Sequence, residues 1–280
     1  MDDALIAPVP RFAEFPRLGQ VCRLGLATRG NTHLRPDDVL TAIKRGVNYL
    51  NWCSHADGMS QAIRQFGDAE RRRVFVASQF YARTAGEARR ELGAQLRELG
   101  TDYLDAITYF YVEHIDQWQQ ITARGGAAEV LEAARHDGVV RSIGLTSHQR
   151  RLAAEIAQSG RLDMLMIRYN AAHRGAEQEI FPVTARLGLP VVAYTGLRWG
   201  ALLRKTPDDP AGFIPPKAPE WYRFVLGHPA VTVGLMAPDG ADELNEDLSL
   251  LDHWQGMSPE QSRRLADHGD RVRRHGGDFP

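Results

Sequence analysis

Short β-branched and apolar runs alternate with amphipathic segments along the whole chain, and no other property limits its fold so strongly. The runs fall at 21–27, 47–50, 73–78, 103–109, 140–145, 164–168, 190–194 and 231–235. Helical segments between them include 36–45, with Asp37 and Asp38 in its first turn, the stretch around 61–66, then 84–99, 127–136, 150–158 and 176–186. Thr84 reads as the N-cap of the longest helix and Gly100 as its stop. Eight strands alternating with helices over about 250 residues predict a parallel (β/α)8 TIM barrel in the α/β class. A doubly wound open sheet also alternates strand and helix, but it needs a glycine-rich phosphate turn after its first strand. The turn here is Ala27-Thr28-Arg29-Gly30-Asn31, which favours the barrel.

A chain of 280 residues has room for one such barrel, so residues 1–280 are expected to form a single domain. Proline accumulates at 203–219, which reads as a loop insertion forming a lid or substrate wall on the barrel rim. The 34 basic and 35 acidic residues nearly cancel, so net charge supports neither a nucleic-acid nor a membrane partner. Cys22 and Cys53 are the only cysteines. Their separation gives neither a disulfide framework nor a metal-ligand spacing, so no metal is assigned, Cys53 reads as packing, and a cytoplasmic setting is expected. The first eight residues lack a basic region followed by an apolar core, and no apolar run approaches the roughly 18 residues needed to span a bilayer.

The stretch from Gly46 to Gly58 begins as a buried strand, opens into a polar loop and enters a helix near Gly58 or Met59. Loops beyond the carboxyl ends of barrel strands carry the ligand, so Asn51 to Asp57 is the first place to look for chemistry. His55 in this loop is a candidate acid or base near neutral pH. Other candidates at strand ends are Gln79 and Tyr81, then Phe110 with its neighbour Tyr111, Ser147 and His148, Arg168 and Asn170, and Tyr194 and Trp199, with Thr28 after the first strand. Arg168 is of a type that holds a carboxylate or phosphate.

Several words in the sequence resemble the aldo/keto reductases. Gln95-Leu96-Arg97-Glu98-Leu99-Gly100-Thr101-Asp102-Tyr103-Leu104-Asp105 looks like their helix-to-strand segment. Residues 138–148 are similar to the next strand and its loop, and 220–226 with 231–248 to the last strand and helix. The likeness runs in order from about residue 15 to 270. It implies a barrel that binds NADPH across its carboxyl-end rim and reduces carbonyls with an aspartate, tyrosine, lysine and histidine. In that scheme the tyrosine donates the proton, a lysine–aspartate pair lowers its pKa, and the histidine orients the substrate oxygen. Members of the family are commonly monomers, so a monomer or small homo-oligomer acting on a small molecule is expected.

At the matching positions this chain departs from the family. Asn51 stands for the aspartate, Ala56 for the tyrosine with His55 and Asp57 beside it, Gln79 for the lysine and Phe110 for the histidine. Met166 stands for a glutamine that contacts the nicotinamide amide, while Tyr194 keeps the place of an aromatic that stacks on the ring. Ala237 and Glu243 replace a lysine and an arginine near the 2′-phosphate. These departures imply a reductase-like barrel turned to non-redox acid/base chemistry, such as elimination, isomerisation or cyclisation of a small organic molecule. They leave the cofactor as none or unknown, with NADPH disfavoured and NADH possible. Two alternatives remain: a divergent NAD(P)H-dependent oxidoreductase with a substituted proton donor, and a non-catalytic binding or regulatory protein.

Overall fold

The computed structural model describes residues 9–29 and 32–276. The first eight residues, with the expectation about a leader, and Gly30 and Asn31 of the first turn lie outside the described residues. The strands are β1 Phe12–Phe15, β2 Gly19–Cys22, β3 Leu24–Ala27, β4 Tyr49–Trp52, β5 Phe75–Phe80, β6 Leu104–Tyr109, β7 Val140–Ser147, β8 Met164–Arg168, β9 Val191–Tyr194 and β10 Val231–Met236. The helices are α1 Pro36–Lys44, α2 Gly58–Ile63, α3 Asp68–Arg71, α4 Ala85–Leu99, α5 Ile115–Thr122, α6 Ala127–His136, α7 Arg150–Ala157, α8 Ala176–Glu179, α9 Phe181–Leu187, α10 Ala218–Gly227, α11 Ala241–Leu248 and α12 Pro259–His275. Strands β3 to β10 close into a parallel barrel, with β10 pairing β3. This is the (β/α)8 architecture that the alternation predicts. No helix among the described residues is long and apolar enough to cross a membrane.

Two readings of the chain change in detail. The run 21–27 is not one strand: Val21 and Cys22 belong to the β1–β2 hairpin, and the barrel begins at Leu24. Arg23 makes the break, its buried guanidinium donating to the carbonyls of Leu226 (2.8 Å) and Val231 (2.7 Å). The segment 176–186 is two helices, because Pro182 in the first turn of α9 lacks the N–H that would continue α8. Helix α4 behaves as expected. Thr84 Oγ1 accepts from Glu87 N while Glu87 Oε2 accepts from Thr84 N (3.1 Å), and Gly100 ends it at φ +62.

Strand alternation sorts the core into two compartments. Tyr49, Phe75, Ala77, Ala106, Met164, Met166, Val192, Tyr194, Val233 and Leu235 point into the barrel, whereas Leu50, Trp52, Val76, Phe80, Ile107 and Tyr109 pack outward against the helices. The hairpin adds Phe15, Leu18 and Val21 to the inner set, and Phe15 stacks on Tyr49 with centroids 5.9 Å apart. The hairpin therefore plugs the amino-terminal end, and the carboxyl end holds a ligand-sized cavity.

Candidate active site

Following the inward register to the carboxyl end of each strand, and just beyond it, gives the rim. Asn51 and Cys53 follow Tyr49, Gln79 and Tyr81 follow Ala77, Phe110 follows Ala106 by four residues, and Thr146, Met166 and Tyr194 sit on the same row of β7, β8 and β9. All of these line one cavity of about 450 Å³, together with Thr28, Arg29, His55, Tyr111, residues 195–197, Trp199, Gly200 and, at its far end, Leu235, Ala237 and Glu243. That is the size range of small-molecule sites.

The structure thus brings Asn51, His55, Gln79, Tyr81, Phe110, Thr28, Tyr111, Tyr194 and Trp199 together, and leaves six sequence candidates off the wall. Ala56 is exposed and does not line it. Asp57 is the N-cap of α2, its carboxylate accepting from Ser60 N at 2.8 Å. Gly58 follows because a Cβ there would lie 2.0 Å from the Leu34 carbonyl oxygen. Ser147 points away from the barrel axis, and its hydroxyl accepts from Gln149 N at 3.0 Å. Its neighbour Thr146 takes the cavity position, as strict alternation along β7 requires. His148 lies behind Tyr111, with ring centroids 4.3 Å apart, and its backbone N donates to Glu113 Oε1 at 2.9 Å. Asn170 is fully buried, donating to the Thr195 carbonyl (2.8 Å) and accepting from Ala172 N (2.9 Å), so it shapes the cavity loop rather than facing a ligand. Arg168 is not a lining residue, although its charge acts on Tyr111, His148 and Tyr194.

The β4–α2 loop is pinned to β5. Ser54 Oγ donates to the Gln79 carbonyl (2.6 Å), and buried Gln95 of α4 donates from Nε2 to the same carbonyl (2.7 Å) and to Ser54 Oγ (3.2 Å). Tyr81 is held at both ends. Its backbone N donates to Glu91 Oε1 (2.8 Å), and its phenol donates to Gln79 Oε1 (3.1 Å). Burial raises the Tyr81 phenol above its ordinary pKa, and Cys53, Glu91 and Tyr111 push the same way.

Four polar atoms of the lining are buried without a protein partner: Arg29 Nε, Asn51 Oδ1, Thr146 Oγ1 and Tyr194 Oη. Backbone strain collects in the same place. Among the described residues the non-glycine positive φ values are at Arg17, Ser54, Tyr111, Thr195, Arg198 and Trp199, and all but the first lie in loops at this mouth. Such conformations cost of order 1–3 kcal/mol each and cluster where a ligand is held.

Tyr222, also on the wall, donates its hydroxyl to Asp247, which burial pushes up to about 8 against the lowering effect of that bond, with Glu243 and Glu246 raising it further. The folded pKa lies above the unfolded value of about 3.9, so the protein takes up a proton here on folding. The Asp247 contribution is full below that lower value and is lost as pH rises towards 8. Urea denaturation is expected to show it falling between pH 5 and 8 by up to about 1.4 kcal/mol per pH unit, and Asp247→Asn is expected to flatten that slope. An unchanged slope in the variant would overturn the assignment.

The aldo/keto reductase family model matches residues 25–261. The NADH-specific methylglyoxal reductase of Escherichia coli (strain K12) is 30% identical over 129 residues, 44% of this chain. The match spans 37% of that relative's length, little more than a third. An aldo/keto reductase from Klebsiella pneumoniae, crystallised with NADP and acetate, superposes with a TM-score of 0.76 at 20% identity over 94% of this chain and 96% of its own. An aldo-keto reductase from Bacillus halodurans in its holo form gives 0.71 at 17%, over 89% and 92%. At these identities the two structures show a shared fold.

These matches correct two expectations. Non-redox chemistry, inferred from the substitutions at Asn51, Ala56, Gln79 and Phe110, finds no support in a family match that spans most of the chain. The expectation of a site without a nicotinamide cofactor, with NADPH disfavoured, is also overturned, since the relatives are NADH-specific or carry NADP. The physical reason is that the barrel mouth keeps a ligand-sized cavity with Asn51, Gln79 and Phe110 on its wall.

Proposed function

The chain belongs to the aldo/keto reductase family, and from that membership we propose a nicotinamide-dependent oxidoreductase that reduces carbonyl compounds at the barrel mouth, with Tyr81 as proton donor. The observation that carries the assignment of the donor is the Tyr81 phenol on the cavity wall, hydrogen-bonded to Gln79 and anchored through its backbone by Glu91.

The residues present fit a nicotinamide ring. Buried polar groups require partners, and Asn51 Oδ1, Thr146 Oγ1 and Tyr194 Oη have none within the protein. A carboxamide, with two donors and an acceptor, offers partners to Asn51 Oδ1 and Thr146 Oγ1. The reduced nicotinamide supplies a hydride when bound. Asn51 and Thr146 would hold its amide, and Tyr194 would wall its ring.

The remaining chemistry belongs to the chain's own side chains. Tyr81 gives its proton to the carbonyl oxygen. The Gln79 amide, turned to present its NH2, then donates to the phenolate it leaves. Glutamine is neutral, so it stabilises that phenolate less than a lysine would. Phe110 and Tyr111 keep water from the reacting carbon, which strengthens these hydrogen bonds. His55 lines the same cavity and is the second candidate donor.

Titration with NADH and with NADPH, followed by nicotinamide fluorescence, tests the reading without requiring a substrate. Saturable binding of at least one in the range of roughly 1 μM–1 mM is expected. Failure of both to bind would sink the proposal.

A further inference from the structure

Four rings of the rim touch in sequence although they come from different strand ends. Tyr81, beyond β5, lies 4.9 Å from Phe110, beyond β6, and Phe110 stacks on Tyr111 at 3.8 Å with an interplanar angle of 30°. Tyr111 lies 4.3 Å from His148, beyond β7. Tyr81, Phe110 and Tyr111 line the cavity. On the β9–α10 loop Trp199 and Leu203 line it too. Tyr81 is 46%, Trp199 40% and Leu203 39% exposed. These large apolar side chains are among the few left in water among the described residues, and they share one cavity. Exposed apolar surface gathered in one concave place marks a ligand or partner site.

The ring row is also fixed in position, with Tyr81 exposed and Phe110, Tyr111 and His148 half-buried. Arg83 donates from Nη2 to the Phe110 carbonyl (2.6 Å), and Phe110 N donates to the Phe80 carbonyl (2.9 Å). Tyr111 holds φ +46, a conformation that a bulky non-glycine residue adopts only where its surroundings hold it there. His148 braces the far side of Tyr111 and is tied by its backbone to Glu113. A ring wall whose members are held by backbone bonds costs little ordering entropy when a flat ligand lies against it.

We propose that this ring row selects the substrate, and that the enzyme acts on carbonyl groups carried by a planar aromatic system rather than by an aliphatic chain. The inference rests on the reductase reading for the carbonyl and on the ring row for the aromatic system. Phe110 and Tyr111 are its specificity-determining residues. Offset and edge-to-face contacts favour a flat π-system over a saturated ring of equal carbon count, because the quadrupole term is absent from the latter.

Equilibrium binding without nicotinamide separates the two readings. The probes are 1-(naphthalen-2-yl)ethanone and its decahydronaphthalene counterpart, followed by isothermal calorimetry. The planar ketone is expected to bind about tenfold more tightly. Tyr111→Ala and Phe110→Leu should each erase most of that ratio, and Tyr111→Phe should keep it. Equal affinities in the wild-type protein, or a ratio that survives both ring-removing variants, would overturn the inference. If Tyr111→Ala does not fold, Phe110→Leu, which keeps an apolar side chain of similar bulk, gives the same readout. Discrimination without NADH or NADPH binding would leave the ring selection standing and remove the reductase reading. Nicotinamide binding without discrimination would do the reverse.

Discussion

Tyr81→Phe is expected to lower the rate of carbonyl reduction by roughly 10²–10⁴-fold while leaving nicotinamide affinity unchanged. The variant removes one oxygen and keeps the ring, its contact with Phe110 and the backbone bond to Glu91, so the wall stays in place. The pH profile distinguishes this donor from its rival. Burial raises the Tyr81 phenol above its ordinary value of about 10, so the acid form persists through the neutral range. The rate should be flat from about pH 6 to 9 and fall only as the phenol ionises. A loss of rate across neutrality would argue against the phenol as donor. His55→Ala is accordingly expected to cost less than about tenfold. A large loss in His55→Ala, with Tyr81→Phe close to wild type, would transfer the role to His55.

The same residues show how much of the site could be read without coordinates. Alternation of apolar and polar segments is enough for the barrel, since eight strand–helix units have few ways to close. The rim is legible wherever a strand's inward register can be counted from a buried residue. Tyr49 leads to Asn51 and Cys53, and Ala77 to Gln79 and Tyr81. The register reaches Thr146 as well, two residues beyond Gly144, whereas chemical type alone favours neither Thr146 nor Ser147. Asp57, Asn170 and His148 were opaque for another reason. Each is a plausible catalytic type, and each is taken up locally, by a helix N-cap, a loop carbonyl and a ring behind the wall. Gln95 was missed because its side chain reaches the site from a helix, where no strand register applies.

Asp105→Ala is expected to destabilise the fold by roughly 3–5 kcal/mol in chemical denaturation, with little change in nicotinamide affinity per folded molecule. Asp105 is 1% exposed, and its carboxylate holds Arg71 Nη1 (2.8 Å), Arg141 Nη1 (2.9 Å) and Val76 N (2.9 Å). Both guanidinium groups also lie over the Tyr103 ring, at 3.9 and 4.3 Å. Truncation would leave the Arg71 charge buried without its carboxylate partner, although its bonds to the Val74 and Tyr103 carbonyls remain. That uncompensated charge, and not the loss of one hydrogen bond, sets the size of the effect. A change below about 1 kcal/mol would show that water reaches Arg71 and screens it. The cluster lies at the start of β6, away from the cavity lining. It is built from Thr101, Tyr103 and Asp105, the end of the sequence word that most resembles the reductases. That word ties β6 to its neighbours β5 and β7, so it carries the family fold faithfully and says nothing about which side chain at the opposite end delivers the proton.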